Sequence, residues 1–248
     1  MAARIVKVLA TEKDVSKELC DTVINAADTA VKERGIFTIG FSGGSAAKML
    51  CDSLPNASTD WSKWRVFFCD ERHVSFDDPE CTFTFYKNNL MSKVPLSGDQ
   101  VFPLNPDISV EKAAEEYVTA IRKVFPGDSL PRFDLLVLGM GPDGHTCSLF
   151  PGHPLLDETS KLAAPITDSP KLPPCRVTMT FPVINNAACI VFASCGAGKA
   201  EIVQQVLESK ADVPPLPAAR VRPSNGQVVW ILDKTAASKL SPQIANKL

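Results

Sequence analysis

The stretch Phe133-Asp134-Leu135-Leu136-Val137-Leu138-Gly139-Met140-Gly141-Pro142-Asp143-Gly144-His145-Thr146-Cys147-Ser148-Leu149-Phe150-Pro151 decides how the rest of the chain is read. It opens on an apolar, branched run, the composition of a strand buried on both faces. The run stops at a cluster of glycines, and an acid and a histidine follow, two residues apart. A buried strand that ends this way delivers polar groups to the rim of a sheet.

Outward from that stretch, strand-like and helix-like segments alternate. Strands are expected at 5–9, 36–41, 65–69, 100–104, 133–138, 176–181, 188–194 and 228–232. Helical spacing runs over 14–34 and stops at Gly35; further helices are expected from Ser45 to Leu54 and over 82–93, 110–125, 200–209 and 234–240. After Pro151 the chain is rich in proline and reads as loop, as does 212–217. The alternation predicts an α/β fold: a single doubly wound, mainly parallel sheet with helices on both faces, in one domain over 1–248. No internal repeat or low-complexity linker interrupts it.

Composition narrows the function. The net charge of -2 offers no broad basic field, so neither nucleic acid nor a membrane surface is an expected partner. Residues 1–10 lack the apolar core of a secretory signal, and no apolar run approaches the ~18 residues of a membrane span. The eight cysteines include no Cys-x-x-Cys pair, which makes metal knuckles and redox motifs poor readings. A reducing, cytoplasmic setting is expected.

Four polar or glycine-rich turns follow expected strands: Ser42-Gly43-Gly44, Asp70-Glu71-Arg72, Gly141 to His145, and Gly196-Ala197-Gly198-Lys199. In a parallel sheet such turns share one rim, so they point to one site. Residues 139–144 formally match the dinucleotide fingerprint G-x-G-x-x-G. Pro151 and Pro154 follow too soon for the crossover helix that fingerprint requires, which disfavours a nicotinamide or flavin.

His145 sits at a strand end among glycines, with Asp143 close enough to orient its ring. A carboxylate on one ring nitrogen fixes the tautomer and leaves the other nitrogen to take a proton. The Ser42-Gly43-Gly44 turn precedes a helix and suits an anion, because glycines let backbone N–H groups approach it. It lacks the Gly-Lys-Ser/Thr ending of a nucleotide P-loop. Lys199, in a first helical turn, opposes the macrodipole at a cost of a few tenths to ~1 kcal/mol, which a bound dianion would offset. Arg72 can clamp the same anion bidentately, and Arg176, opening another strand, can serve similarly. No G-x-S-x-G elbow supports a serine triad, and the histidines and cysteines lack metal-ligand spacing.

Together, and in this order, Phe41-Ser42-Gly43-Gly44-Ser45, Asp70-Glu71-Arg72, Leu138 to Pro151, Arg176-Val177-Thr178-Met179-Thr180 and Gly196 to Ala200 resemble the glucosamine-6-phosphate isomerase/deaminase-like family. Within it they resemble the 6-phosphogluconolactonases. The resemblance implies hydrolysis of 6-phosphoglucono-δ-lactone in the oxidative pentose phosphate pathway, with no metal and no organic cofactor. It implies His145 as general base and Asp143 as its orienting acid. It places Arg72 and Lys199 at the family's phosphate-binding positions and Ser42, Gly43 and Gly44 in the glycine loop beside the ligand. Asp70 and Arg176 are further candidates for the same substrate site, and a monomer acting on a small sugar-phosphate lactone is expected. The deaminase relatives carry a glutamate five residues after the histidine; this chain has Phe150 there. Loss of that acid suits activation of water better than ring-opening deamination.

Overall fold

Leu135, Leu136, Val137 and Leu138 are all fully buried, as a strand with apolar residues at every position requires. In the computed structural model, which describes residues 3–208 and 214–245, they form β5 (Leu135–Leu138). It lies inside a six-stranded sheet with β1 (Ala3–Leu9), β2 (Phe37–Phe41), β3 (Trp64–Phe68), β8 (Cys189–Ser194) and β9 (Gln227–Asp233). The order is β1-β9-β8-β5-β2-β3, and every neighbouring pair is parallel. The fold class is the expected one.

Alternation along the strands divides the core. Leu136, Leu138, Ile190, Phe192 and Trp230 face one side, with α4 (Val110–Val124) and α6 (Ala200–Leu207). Leu135, Val137, Ile39, Phe41 and Val191 face the other, with α1 (Glu12–Arg34) and α2 (Ser45–Ser53). Each fully buried Leu or Val contributes roughly 1.5–3 kcal/mol. α1 starts at a Thr11–Asp14 capping box and ends on left-handed Gly35, so its boundaries follow from local chemistry.

A second, three-stranded antiparallel sheet goes beyond the expected single sheet. It orders β4 (Asp70–Arg72), β7 (Arg176–Met179) and β6 (Ala163–Ile166). At Cys69 the chain leaves the parallel sheet: its N–H still donates to Phe41 O, but its C=O accepts from Met179 N. Asp70-Glu71-Arg72 is therefore a strand in its own right, paired with β7, rather than the rim turn expected after the 65–69 strand.

Other local expectations change too. The 82–93 segment is α3 (Thr82–Tyr86) followed by a wider π turn over Lys87–Met91. The 100–104 segment makes one bridge, Val101 to Val66, rather than a strand. Residues 234–240 form turns because Asp233 holds Ala236 N and Thr235 Oγ1; the last helix is α7 (Pro242–Ala245). The strand expected over 176–181 ends at Met179, because a short helix, α5 (Phe181–Ile184), begins just after it. The expected loop 212–217 and the end of the 200–209 helix lie partly outside the described residues.

The topology places the chemistry. From β2 the sheet grows one way to β3, and from β5 the other way to β8 and β9. The β2 and β5 carboxyl ends, with Ser42-Gly43-Gly44 and Gly139 to His145, therefore flank the switch point of a parallel sheet.

Candidate active site

The turn after β5 is held by its own backbone. Gly141 N donates to His145 O at 2.9 Å, and Gly144 N to Gly141 O at 3.0 Å. Thr146 Oγ1 closes back on Gly139 O at 2.8 Å. Gly144 adopts a φ of +78°, and a Cβ there would meet Leu216 Cδ1 at 2.8 Å. This loop fixes Asp143 and His145 side by side: Nδ1 and Oδ1 are 2.5 Å apart. His145 Nε2 makes no hydrogen bond among the described residues.

The imidazole packs on Phe150, ring centroids 4.7 Å apart. Burial pulls the His145 pKa below its usual value, outweighing the hydrogen bond and charge of Asp143. Burial pushes Asp143 up, but the hydrogen bond and charge of His145 hold it below the usual carboxylate range. At neutral pH the pair is a neutral imidazole beside a carboxylate, which is the state a general base needs.

The other turns converge on this one. Gly139 lies close to Gly43: a Cβ on Gly139 would be 3.7 Å from Gly43 O. Gly44 has a φ of +83° and starts α2 with no side-chain cap, so the first N–H groups of that helix are left for a ligand. Ser42 is buried, and its Oγ has no partner among the described residues. Lys199 reaches across to Met140 O at 2.7 Å, and burial lowers its pKa. Asp70 accepts from Ser148 Oγ at 2.8 Å, which ties β4 to the turn after β5.

Arg72 donates to the side chain and the carbonyl of Glu80, both at 2.9 Å, rather than to Asp70 or Glu71. Its guanidinium keeps other N–H groups for a ligand. Arg176 sits opposite Arg72 in the β4–β7 pair but is only 3% exposed. Its fork donates to the carbonyls of Lys171, Leu172 and Pro173 and faces Ser148 Oγ. It is engaged by its own chain, not held out to a ligand.

One residue near the pair carried no sequence signal. Lys171 Nζ is 3.4 Å from Asp143 Oδ1 and 3.3 Å from His145 Nδ1. It arrives from a proline-rich loop far along the chain, and nothing in its local pattern marks it. His153 is a loop residue, accepting from Leu155 N and facing Asp168. Two hollows lie elsewhere, one at the amino ends of the strands (about 830 Å³) and one between α1 and α2 (about 1000 Å³). Neither is lined by His145 or Lys199. Their size carries less weight than the convergence of an acid–imidazole pair with two cations at the switch point.

The fold and this rim define a doubly wound α/β protein with an acid-oriented imidazole and an anion-ready helix end at its switch point. The profile of a family described as glucosamine-6-phosphate isomerases/6-phosphogluconolactonase matches residues 10–230, and the chain belongs to that family of enzymes. It is 46% identical over 246 residues to a Bos taurus 6-phosphogluconolactonase, covering 97% of this chain and 95% of the relative. Its identity to a Homo sapiens 6-phosphogluconolactonase is 45%, with the same coverage. Among solved structures, 6-phosphogluconolactonase from Trypanosoma brucei superposes with a TM-score of 0.85 at 25% identity, covering 97% of this chain and all of that one (100%).

Proposed function

We propose that this protein hydrolyses 6-phospho-D-glucono-1,5-lactone to 6-phospho-D-gluconate by general-base activation of water. The observation that carries the reading is the 2.5 Å contact between His145 Nδ1 and Asp143 Oδ1, with Nε2 left to accept a proton. The names of its relatives supply the substrate class.

The phosphate is held by Arg72, Lys199, Ser42 Oγ and the N–H groups of Gly43 and Gly44. Asp70, fixed through Oδ2 by Ser148, presents its other oxygen to a sugar hydroxyl. Anchoring at this remote end orients the lactone carbonyl over Nε2. Nε2 takes a proton from water as the oxygen adds to C1. The tetrahedral intermediate collapses by breaking the bond from C1 to the ring oxygen. The imidazolium returns its proton to that oxygen, and the new carboxyl group ionises. Asp143 stabilises the transient imidazolium without taking its proton. On this reading the protein works as a cytoplasmic monomer, with the base, its orienting acid and the phosphate anchors all drawn from one chain.

Phe150 favours this reading over amino-sugar deamination, because a buried ring packs on His145 where deaminases place a glutamate. The test is a lactone-hydrolysis assay corrected for the spontaneous reaction, with glucosamine 6-phosphate supplied in parallel. Accelerated lactone loss without ammonia release is the expected result. Ammonia release, or lactone loss at the spontaneous rate, overturns it.

A further inference from the structure

Residues 167–175 contain neither helix nor strand, yet they carry Lys171 to the catalytic pair. A loop ends at a fixed point only where something fixes it. Here the fixture is Arg176. Its Nη2 donates to Lys171 O at 3.2 Å and Leu172 O at 3.1 Å, and its Nε to Pro173 O at 3.1 Å. Nη1 faces Ser148 Oγ at 3.5 Å, which is itself held by Asp70. Ser169 Oγ adds two bonds to the Lys171 backbone, donating to its O at 2.8 Å and accepting from its N at 3.2 Å. Lys171 is thus held at its backbone, with its ammonium against Asp143 Oδ1 and His145 Nδ1.

We propose that Lys171 is a positioning residue that sets the proton affinity of His145, and that Arg176 is the clamp that delivers it. The inference rests on His145 being the base. It gives Arg176 a task other than holding phosphate.

The charged groups facing the imidazole are Asp143 on its own turn, Asp70 from β4, Lys171 from the loop, and Lys199 beyond Lys171 and Asp143. The two acids favour imidazolium, and the Lys171 ammonium opposes it. Lys171 stands on the Nδ1 side and shares the carboxylate oxygen that Nδ1 uses. It therefore acts through the pair rather than on the reacting atoms. By weakening the hold of Asp143 on the imidazolium, it keeps the base neutral to lower pH. It also makes the imidazolium a stronger acid toward the leaving ring oxygen.

Lys171→Met keeps the length and removes the charge. It is expected to move the acidic limb of the kcat/KM–pH profile upward by about half a pH unit or more. An NMR titration of the His145 ring should show the same shift without turnover. Lys171→Arg should restore the wild-type limb, and KM at pH 8 should change less than about two-fold. Folded Arg176→Lys, which keeps a charge but loses the fork, should shift the limb the same way; a wild-type limb there removes Arg176 from the proposal. If Arg176→Lys does not fold, the Lys171 variants decide alone. A limb that stays put or moves down in Lys171→Met overturns the inference, as does a rise in KM with no shift, which would make Lys171 a substrate anchor. An active His145→Ala variant would instead overturn the base itself. An inactive His145→Ala with an unmoved Lys171→Met limb defeats this inference alone.

Discussion

Gly141 and His145 share one space: a Cβ on Gly141 would lie 2.0 Å from both Nδ1 and Cε1 of the imidazole. The glycine is the seat of the ring. The same Cβ would come within 2.6 Å of Asp143 Oδ1, so the clash falls on the contact that orients the base.

Gly141→Ala is therefore expected to displace the imidazole while the buried sheet beneath stays intact. A misplacement of about 1 Å can cost on the order of 10²-fold in rate. Lactone hydrolysis should fall by about that factor, with the unfolding midpoint lowered modestly. Retained kcat in the alanine variant would show that the ring tolerates another seat.

Removing the imidazole tests the base directly. His145→Ala should lower kcat by ~10²–10⁴-fold, the usual worth of general-base catalysis, and leave KM nearly unchanged. The wild-type pH profile follows from the same group. Burial holds the His145 pKa below its usual 6.5, and in the proposed mechanism the base acts in its neutral form. Activity should therefore be full near pH 7 and fall with acid through a limb centred below about 6.5. A limb centred above that value would contradict the buried site.

In the proposed site the phosphate anchors should separate from the base kinetically. There Arg72→Ala and Lys199→Ala would each remove a charge-assisted hydrogen bond to phosphate, worth about 1.5–3 kcal/mol. KM should rise roughly 10- to 100-fold in each, with a smaller change in kcat. Glu80→Gln offers the converse. Glu80 holds Arg72 through its carboxylate and its carbonyl, both at 2.9 Å; the glutamine removes only the competing charge, so KM should fall modestly. Steady-state kinetics on the lactone distinguishes these outcomes from a general loss of activity.

Much of this site is legible in sequence because a parallel sheet sends all its strand ends to one edge. The runs before Ser42, Gly139 and Cys195 are almost wholly apolar, with Thr38, Asp134 and Ser194 the polar interruptions, and each is followed by glycine or a polar turn. That pattern is enough to bring Ser42-Gly43-Gly44, His145 and Lys199 together. The small antiparallel sheet is illegible for equally physical reasons. Asp70-Glu71-Arg72 is short and wholly polar, and β6 contains Pro165, which edge strands tolerate but sequence patterns do not signal. Arg176 was readable as a cation near the rim, but not as the clamp of a loop. Lys171 lies 26 residues beyond His145, and only the folded loop brings them together.

Glu71 makes a last prediction about stability. Its carboxylate is buried at the start of α3, where Oε1 accepts from Arg72 N at 2.8 Å and Thr82 N at 2.9 Å, and Oε2 from Phe83 N at 2.7 Å. Burial pushes its pKa up to about 7 despite these donors, which pull it down. The unfolded chain titrates near about 4.5. Between those values the folded state binds the extra proton, so stability falls as pH rises. This contribution is fully present below about 4.5 and is lost through about 7, amounting to roughly 3 kcal/mol. Glu71→Gln cannot titrate. The stability of the wild type relative to this variant should therefore decline by about that amount as pH rises from about 4 to about 8. Urea unfolding of both proteins across that range measures it, and a constant difference would show that the three N–H donors hold Glu71 at its ordinary pKa. Glu71 also anchors Thr82, which stands 3.3 Å from where a Cβ on Gly43 would lie. If the variant loosens α3, the glycine turn loses that neighbour, and KM should rise together with the loss of stability.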